Sequence, residues 1–170
     1  MMQNKRELTL LQFVSQLSVR GEWCGEPYLQ SLSYLWDQTT DNGCNFEHYW
    51  FRGGPYSSNV GENLATLRAE GYITFEPVIP PAGPAFCCTA VGESLLQSQD
   101  DSQIKYLAEV FLSRPENQRL LLARAAYALS KAEKPLAWLE ELGADASEGA
   151  EALSVAKELL ESRCRPPVPA

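Results

Sequence analysis

Helical apolar spacing governs most of this 170-residue chain, and β-type sequence interrupts it only before residue 90. Strands and aromatics lie ahead of that point, and nearly all-helical sequence follows it. The chain therefore reads as mainly α with a small β-hairpin. At this length it makes one domain, or one domain with a helical extension. Hydrophobic residues are 45% of the total, enough for a core that needs no disulfide staples.

The periodicity predicts the elements in turn. Residues 6–20 place Leu8, Leu11, Val14 or Ser15 and Leu17 on one helical row, and Leu10, Phe13 and Leu17 on a second, with Gly21 as the stop. Pro27 suits the first turn of a second helix carrying Leu29, Leu32, Leu35 and Trp36. Phe46 to Phe51 is aromatic, partly alternating and strand-like, and Arg52-Gly53-Gly54-Pro55-Tyr56 breaks it. Ser57 or Ser58 can cap a third helix with Val60, Leu64 and Leu67, closed by Gly71. Tyr72 to Glu76 and Ala85 to Thr89 read as two strands of a hairpin across the proline-rich loop Pro77 to Pro84. Thr89 can cap a helix from Val91 to Gln99, with Val91, Leu95 and Leu96 facing inward. A helix follows from Asp100-Asp101-Ser102 to about Leu112. Ser113-Arg114-Pro115-Glu116 then has the form of a capping box for a helix to about Ala132. Leu136 to Leu142 and a last helix capped by Ser147 complete the order.

Helix, helix, short strand, helix, strand, loop, strand, helix is the winged helix-turn-helix order. Two phrases sharpen it. Leu64 to Ile73 has the form of a third helix running through a glycine into the first wing strand, and Cys88 to Leu96 that of the second wing strand running into a helix. Residues 1–99 are thus expected as a winged-helix domain, 100–165 as a helical C-terminal region packed on it, and 166–170 as a disordered tail. The segment Phe51-Arg52-Gly53-Gly54-Pro55-Tyr56-Ser57 resembles the aromatic-x-x-Gly-Pro-aromatic-Ser junction of the Panacea domain of SocA-like antitoxins and of the related YwgA-like bacterial proteins. The similarity spans roughly residues 8–110. It implies a bacterial or phage cytosolic protein that acts by binding, against a toxin or within a defence system.

A winged helix that reads DNA places cations on its third helix and wing. Residues 57–71 hold one basic residue, Arg68, against Glu62 and Glu70, and Pro77 to Pro84 holds none. Residues 1–90 carry five basic and nine acidic side chains and residues 91–170 nine and thirteen, for a net charge of -8 overall. A site neutralising about six phosphates needs roughly six well-placed cations, and neither half offers that footprint. The N-terminus lacks an apolar run with a cleavage site, and no stretch approaches a membrane span. Cytoplasmic location and reduced thiols are the simplest reading of the five cysteines.

Catalytic and metal constellations are weak. His48, the only histidine, sits between Glu47 and Tyr49 with no nucleophile elbow beside it, and reads as a half-buried strand residue. Cys44 and His48 could join Cys24 or Cys87-Cys88 at a zinc on paper. No Cys-x-x-Cys turn exists, however, and adjacent strand cysteines point to opposite faces. Gly53-Gly54-Pro55 lacks the ending of a phosphate loop and reads as a turn that aims the third helix. Phe46, Tyr49, Trp50, Phe51 and Tyr56 read as core packing, although such rings also dominate binding hot spots.

The expected function is a non-enzymatic regulatory factor, without cofactor or metal, that binds a protein partner. Its contact residues are Arg52, Gly54, Pro55, Tyr56 and Ser57 of the Gly-Pro turn; Asn59, Asn63 and Arg68 of the third helix; and Val78 and Ile79 of the apolar wing. Tyr127, Leu129, Leu136, Trp138 and Leu139 would cover the core or mediate self-association as a homodimer. The alternative is a dimeric winged-helix transcriptional regulator that binds DNA.

Overall fold

The computed structural model describes residues 4–77 and 83–166. Val78 and Ile79 of the expected wing, and residues 167–170 of the expected tail, lie outside that range. The described chain is mainly helical, with two small antiparallel hairpins.

Helix α1 spans Lys5–Val19 and opens on a capping box absent from the periodicity argument. The Glu7 backbone N–H donates to Asn4 Oδ1 at 2.9 Å, and the Asn4 N–H donates back to Glu7 Oε2 at 3.1 Å. Gly21, at φ +67°, ends the helix through N–H bonds from Gly21 to Ser18 and from Glu22 to Leu17. Helix α2, Glu26–Thr39, has Pro27 in its first turn and buries every residue from Tyr28 to Trp36. It packs against α1 and, further on, against elements from both ends of the chain.

Strand β1 is only Tyr49–Phe51, shorter than the expected Phe46 to Phe51, because Asn45 and Glu47 take left-handed backbone at φ +53° and +61°. The break after it is itself a hairpin. β1 pairs with β2, Gly54–Tyr56, in the register Tyr49 to Tyr56 and Phe51 to Gly54. Arg52 and Gly53 join them with φ +48° and +83°, the positive pair that a type I′ turn requires. Ser57 caps α3, Ser58–Ala69, and Gly71 closes it at φ +79°. β3, Ile73–Glu76, then pairs with β4, Ala85–Cys88, as expected.

Thr89 caps α4, Ala90–Leu96, which stops short of Gln99. Its inward face also differs. Val91 is 59% exposed, and Gly92 takes the buried position instead. A Cβ on Gly92 would run into the Tyr72 backbone carbonyl oxygen, so only glycine lets α4 sit this close to the hairpin.

Helix α5 covers Ser102–Ser113, and the Ser102 N–H bonds to Asp100. The expected capping box at Ser113 is not formed, because Ser113 ends α5 and its hydroxyl donates back to Val110. A 3-10 turn at Glu116–Gln118 leads instead into α6, Arg119–Lys131. α7 is Pro135–Glu141 and α8 is Ala146–Ser162. The α8 cap is Asp145 rather than Ser147: its carboxylate reaches the backbone N–H groups of Ser147 and Glu148, and Ser147 falls inside the first turn.

One cluster of buried side chains runs from Leu10 and Leu11 of α1 to Ala156 and Leu159 of α8. Arg119 locks its seam. The guanidinium donates to Glu22 at 2.8 Å and to the Arg114 and Leu112 carbonyls at the end of α5, and it faces the Tyr28 ring. No described helix is long and apolar enough to cross a membrane.

Gly92→Ala tests the α4 contact with a clear sign. Helix propensity favours alanine by about 1 kcal/mol. The clash is with backbone, which cannot rotate away, and overpacking of this kind costs about 1–3 kcal/mol. Urea unfolding should show a net loss of stability, and a gain would refute the close approach.

Candidate interaction surface

Three polar residues on α2, Gln30, Ser33 and Asp37, share one helical face at spacings of three and four. Each holds part of the chain between Cys44 and Ser57. Asp37 Oδ1 accepts the N–H groups of Cys44 at 2.6 Å and Asn45 at 3.0 Å, and Oδ2 accepts that of Phe46 at 2.6 Å. Three donors on one carboxylate fix a segment that would otherwise leave its N–H groups without partners. Gln30 clasps Ser57 at both backbone groups, Nε2 donating to its carbonyl at 2.9 Å and Oε1 accepting its N–H at 2.8 Å. The Ser57 hydroxyl and the Asn59 amide both donate to the Phe46 carbonyl. Both ends of the β1–β2 hairpin are therefore tied to α2 and α3.

Ser33 reaches His48, whose Nε2 lies 3.1 Å from the hydroxyl. The Ser33 hydroxyl donates to the Gln30 carbonyl at 3.0 Å, so it accepts from His48 Nε2–H. The other ring nitrogen, Nδ1, is 3.9 Å from Asp37 Oδ2, beyond hydrogen-bond reach. This is the reverse of the polarity that a serine nucleophile needs from a histidine base. The His48 side chain is 2% exposed, and burial pulls its pKa down to about 4.

The strand alternation gives the hairpin two unlike faces. Inward, Trp50 sets its ring 4.8 Å from Tyr127 and 4.7 Å from Trp138, so α6 and α7 grip it. Pro55 is buried beside it. Outward, Tyr49 is 50% and Phe51 44% exposed. Together with half-buried Tyr56 they form a triangle of rings whose centroids are 5.4–6.3 Å apart. The aromatic group is thus core only at Phe46 and at the gripped Trp50; Tyr49 and Phe51 stand in solvent, contrary to the packing expectation. Val19, Phe75, Val91 and Leu142 are the other large exposed apolar side chains among the described residues, and they lie on other elements.

Two hollows flank the triangle. One, of about 660 Å³, is lined by Tyr34, Tyr49 and Tyr127 together with Asp41, Glu47 and Lys131. The other, of about 460 Å³, lies beneath the hairpin turn and is bounded by Phe51, Tyr56, Arg52 and Arg124.

Of the expected contact residues, Arg52, Gly54, Pro55, Tyr56 and Ser57 come together on this hairpin, with Pro55 and Ser57 buried as supports. Asn59 donates to Glu47 at 2.8 Å as well as to Phe46. Asn63 is buried, donating to the Asn59 carbonyl and accepting from Asn4. Arg68 is exposed on a different surface, its guanidinium 4.5 Å from the Phe75 ring centroid. Tyr49, Phe51 and Arg124, with the α2 stripe that mounts the hairpin, were not among the expected residues. The available signal was Gln30, Ser33 and Asp37, polar residues at helical spacing of three and four in the second helix.

The five thiols are free, with Cys24 and Cys164 buried. Cys88 Sγ faces the Leu11 carbonyl and Cys87 Sγ the Thr74 carbonyl. Among the described residues no group of three or more His, Cys, Asp or Glu side chains converges as a metal site. No family model matches the chain, and neither does any curated protein or solved structure compared with it.

Burial of neutral His48 sets a pH dependence. The unfolded imidazole takes its proton near 6.5 and the folded one only near 4. The contribution is complete above pH 6.5, falls as pH drops through that window, and is gone below about 4. It amounts to about 3 kcal/mol. With one histidine, a single imidazole signal followed by NMR should titrate near 4, and His48→Gln should flatten the loss of stability between pH 6.5 and 4. A midpoint near 6.5 would refute the buried neutral ring.

Proposed function

We propose that this chain is a non-enzymatic, antitoxin-like regulatory protein of the bacterial or phage cytoplasm that binds a protein partner through the outer face of the β1–β2 hairpin. The observation that carries this is the exposed triangle of Tyr49, Phe51 and Tyr56 on a hairpin held from behind. Large rings exposed on a rigid mount suit a docking hot spot, because they bring contact area at little cost in conformational entropy. The mount is rigid for the reasons given: the Asp37 carboxylate, the Gln30 clasp and the Trp50 grip.

The scaffold reading is a winged helix. Three helices followed by the β3–β4 hairpin and a capped fourth helix support it. The resemblance of the Gly-Pro junction to SocA-like antitoxins points the same way, since such a junction lies in this hairpin. Protein suits the surface better than DNA does. The exposed positions of α3 are Ser58, Glu62, Ala65, Thr66, Arg68 and Ala69, which present one cation and one anion. Binding to about six phosphates depends on a row of cations.

The test is affinity capture on the tagged full chain from lysate of its source cell, with nuclease present. A stoichiometric protein should be retained. Tyr49→Ala and Phe51→Ala should each weaken its binding about tenfold or more, as hot-spot truncations do. Both side chains are exposed, so unfolding free energy should stay within about 0.5 kcal/mol. Recovery of a defined DNA segment with no such protein, or capture indifferent to both substitutions, would overturn the reading.

A further inference from the structure

The hollow beneath the β1–β2 turn has a chemistry of its own. Arg52 stands on the turn and Arg124 on α6, and both line the same cleft of about 460 Å³. Arg52 is exposed, with its guanidinium 5.1 Å from the Phe51 ring centroid. Arg124 is half-buried and comes up under Gly53, where even an added Cβ would lie 3.9 Å from its Nη2. Among the described residues neither guanidinium has a carboxylate within ion-pair distance. The other arginine-rich joints of the fold are paired: Arg114 with Glu151, and Arg119 with Glu22. Glu26 also lines the cleft, where its Oε1 accepts from Gln30 at 3.2 Å. Two cations against one anion leave the cleft positive in a chain of net charge -8.

Charge, shape and walls together define an occupant. Two guanidinium groups offer forked donors matched to a carboxylate. Phe51 and Tyr56 form an apolar wall beside them, and Leu120 continues it toward a second hollow of about 860 Å³ that shares Leu120 and Arg124. We infer that this cleft is a carboxylate-recognition site that takes an aspartate or glutamate side chain of the partner polypeptide, with the next apolar residue of that partner lying against the rings. The inference rests on the protein-docking reading for its partner class and adds to it the chemistry that the partner must present.

The probe is a library of short random peptides, selected on the immobilised full chain. Selected peptides should carry Asp or Glu next to an aromatic or aliphatic residue. Replacing that acid by its amide should weaken binding about tenfold or more, the loss expected for a charge-assisted bidentate bond. Arg124→Gln should bring the acid peptide down to the level of its amide form. Arg52→Asn should do the same in part, and because it lies on the exposed turn, where asparagine tolerates positive φ, it keeps the test open if Arg124→Gln fails to fold. Arg68→Gln, which removes an exposed arginine elsewhere, should change nothing. Peptides without acidic enrichment, equal binding of acid and amide forms, or equal sensitivity to Arg68→Gln would overturn the site. Peptides that depend on Phe51 and not on either cleft arginine would also overturn it, while leaving the docking face standing. Failure to recover any peptide that depends on Phe51, Arg52 or Arg124 would sink both.

Discussion

Everything distinctive about this surface depends on one edge of α2. The helix is enclosed on nearly all sides, so any polar group it carries must find a partner inside the fold. A buried group left without one costs about 1–3 kcal/mol, and a carboxylate more. Gln30, Ser33 and Asp37 meet that requirement with the backbone and ring of a neighbouring segment rather than with water. The constraint works in both directions. Residues 44–48 form no ladder, and two non-glycine residues there hold positive φ, a conformation that persists only where its surroundings dictate it. Asp37 dictates it at Asn45, and the segment in turn satisfies Asp37.

A second grip comes from the far end of the chain. Trp50 is fixed by rings from α6 and α7, and α6 is itself registered by Arg119 against Glu22, Tyr28 and the carbonyls that end α5. A two-stranded hairpin alone is marginal in water. Here its six strand residues inherit their order from two directions, α2 beneath and the C-terminal helices beside. The C-terminal helices therefore do more than cover apolar surface: they hold still the element whose other face is exposed.

These relations set how much could be read in advance. Helices with an apolar row and a glycine stop were legible, because spacing and left-handed caps are local properties; α1, α3 and the β3–β4 hairpin follow from them. The β1–β2 hairpin was not. Its turn places arginine rather than Asn or Asp at the first left-handed position, and Pro55 sits in a strand where it can donate no bond. Phe46 to Phe51 likewise reads as one aromatic strand until left-handed Glu47 splits it, next to a segment, Cys44 to Phe46, that Asp37 holds from seven to nine residues earlier. Caps failed in a similar way at Ser147, where Asp145 lay within reach and is the stronger acceptor. Which rings face solvent depends on which side α6 and α7 occupy, and no local spacing near residue 50 records that.

The exposed rings also sit between two hollows of unlike charge balance. Tyr49 borders a hollow whose Asp41 and Glu47 are already met by Arg163, Arg165 and Arg6, while Phe51 and Tyr56 border the cleft where Arg52 and Arg124 stand against a single carboxylate, Glu26. Apolar contact on the rings is nearly indifferent to direction, so by itself it would let a partner segment seat either way round. The net positive cleft at one edge limits that freedom, because a seating that sets a cation of the partner against Arg52 and Arg124 costs several kcal/mol. The rings would then supply affinity and the arginine cleft register. That division of labour suits a chain whose overall negative charge repels most acidic proteins at a distance while one small cleft still admits a carboxylate at contact.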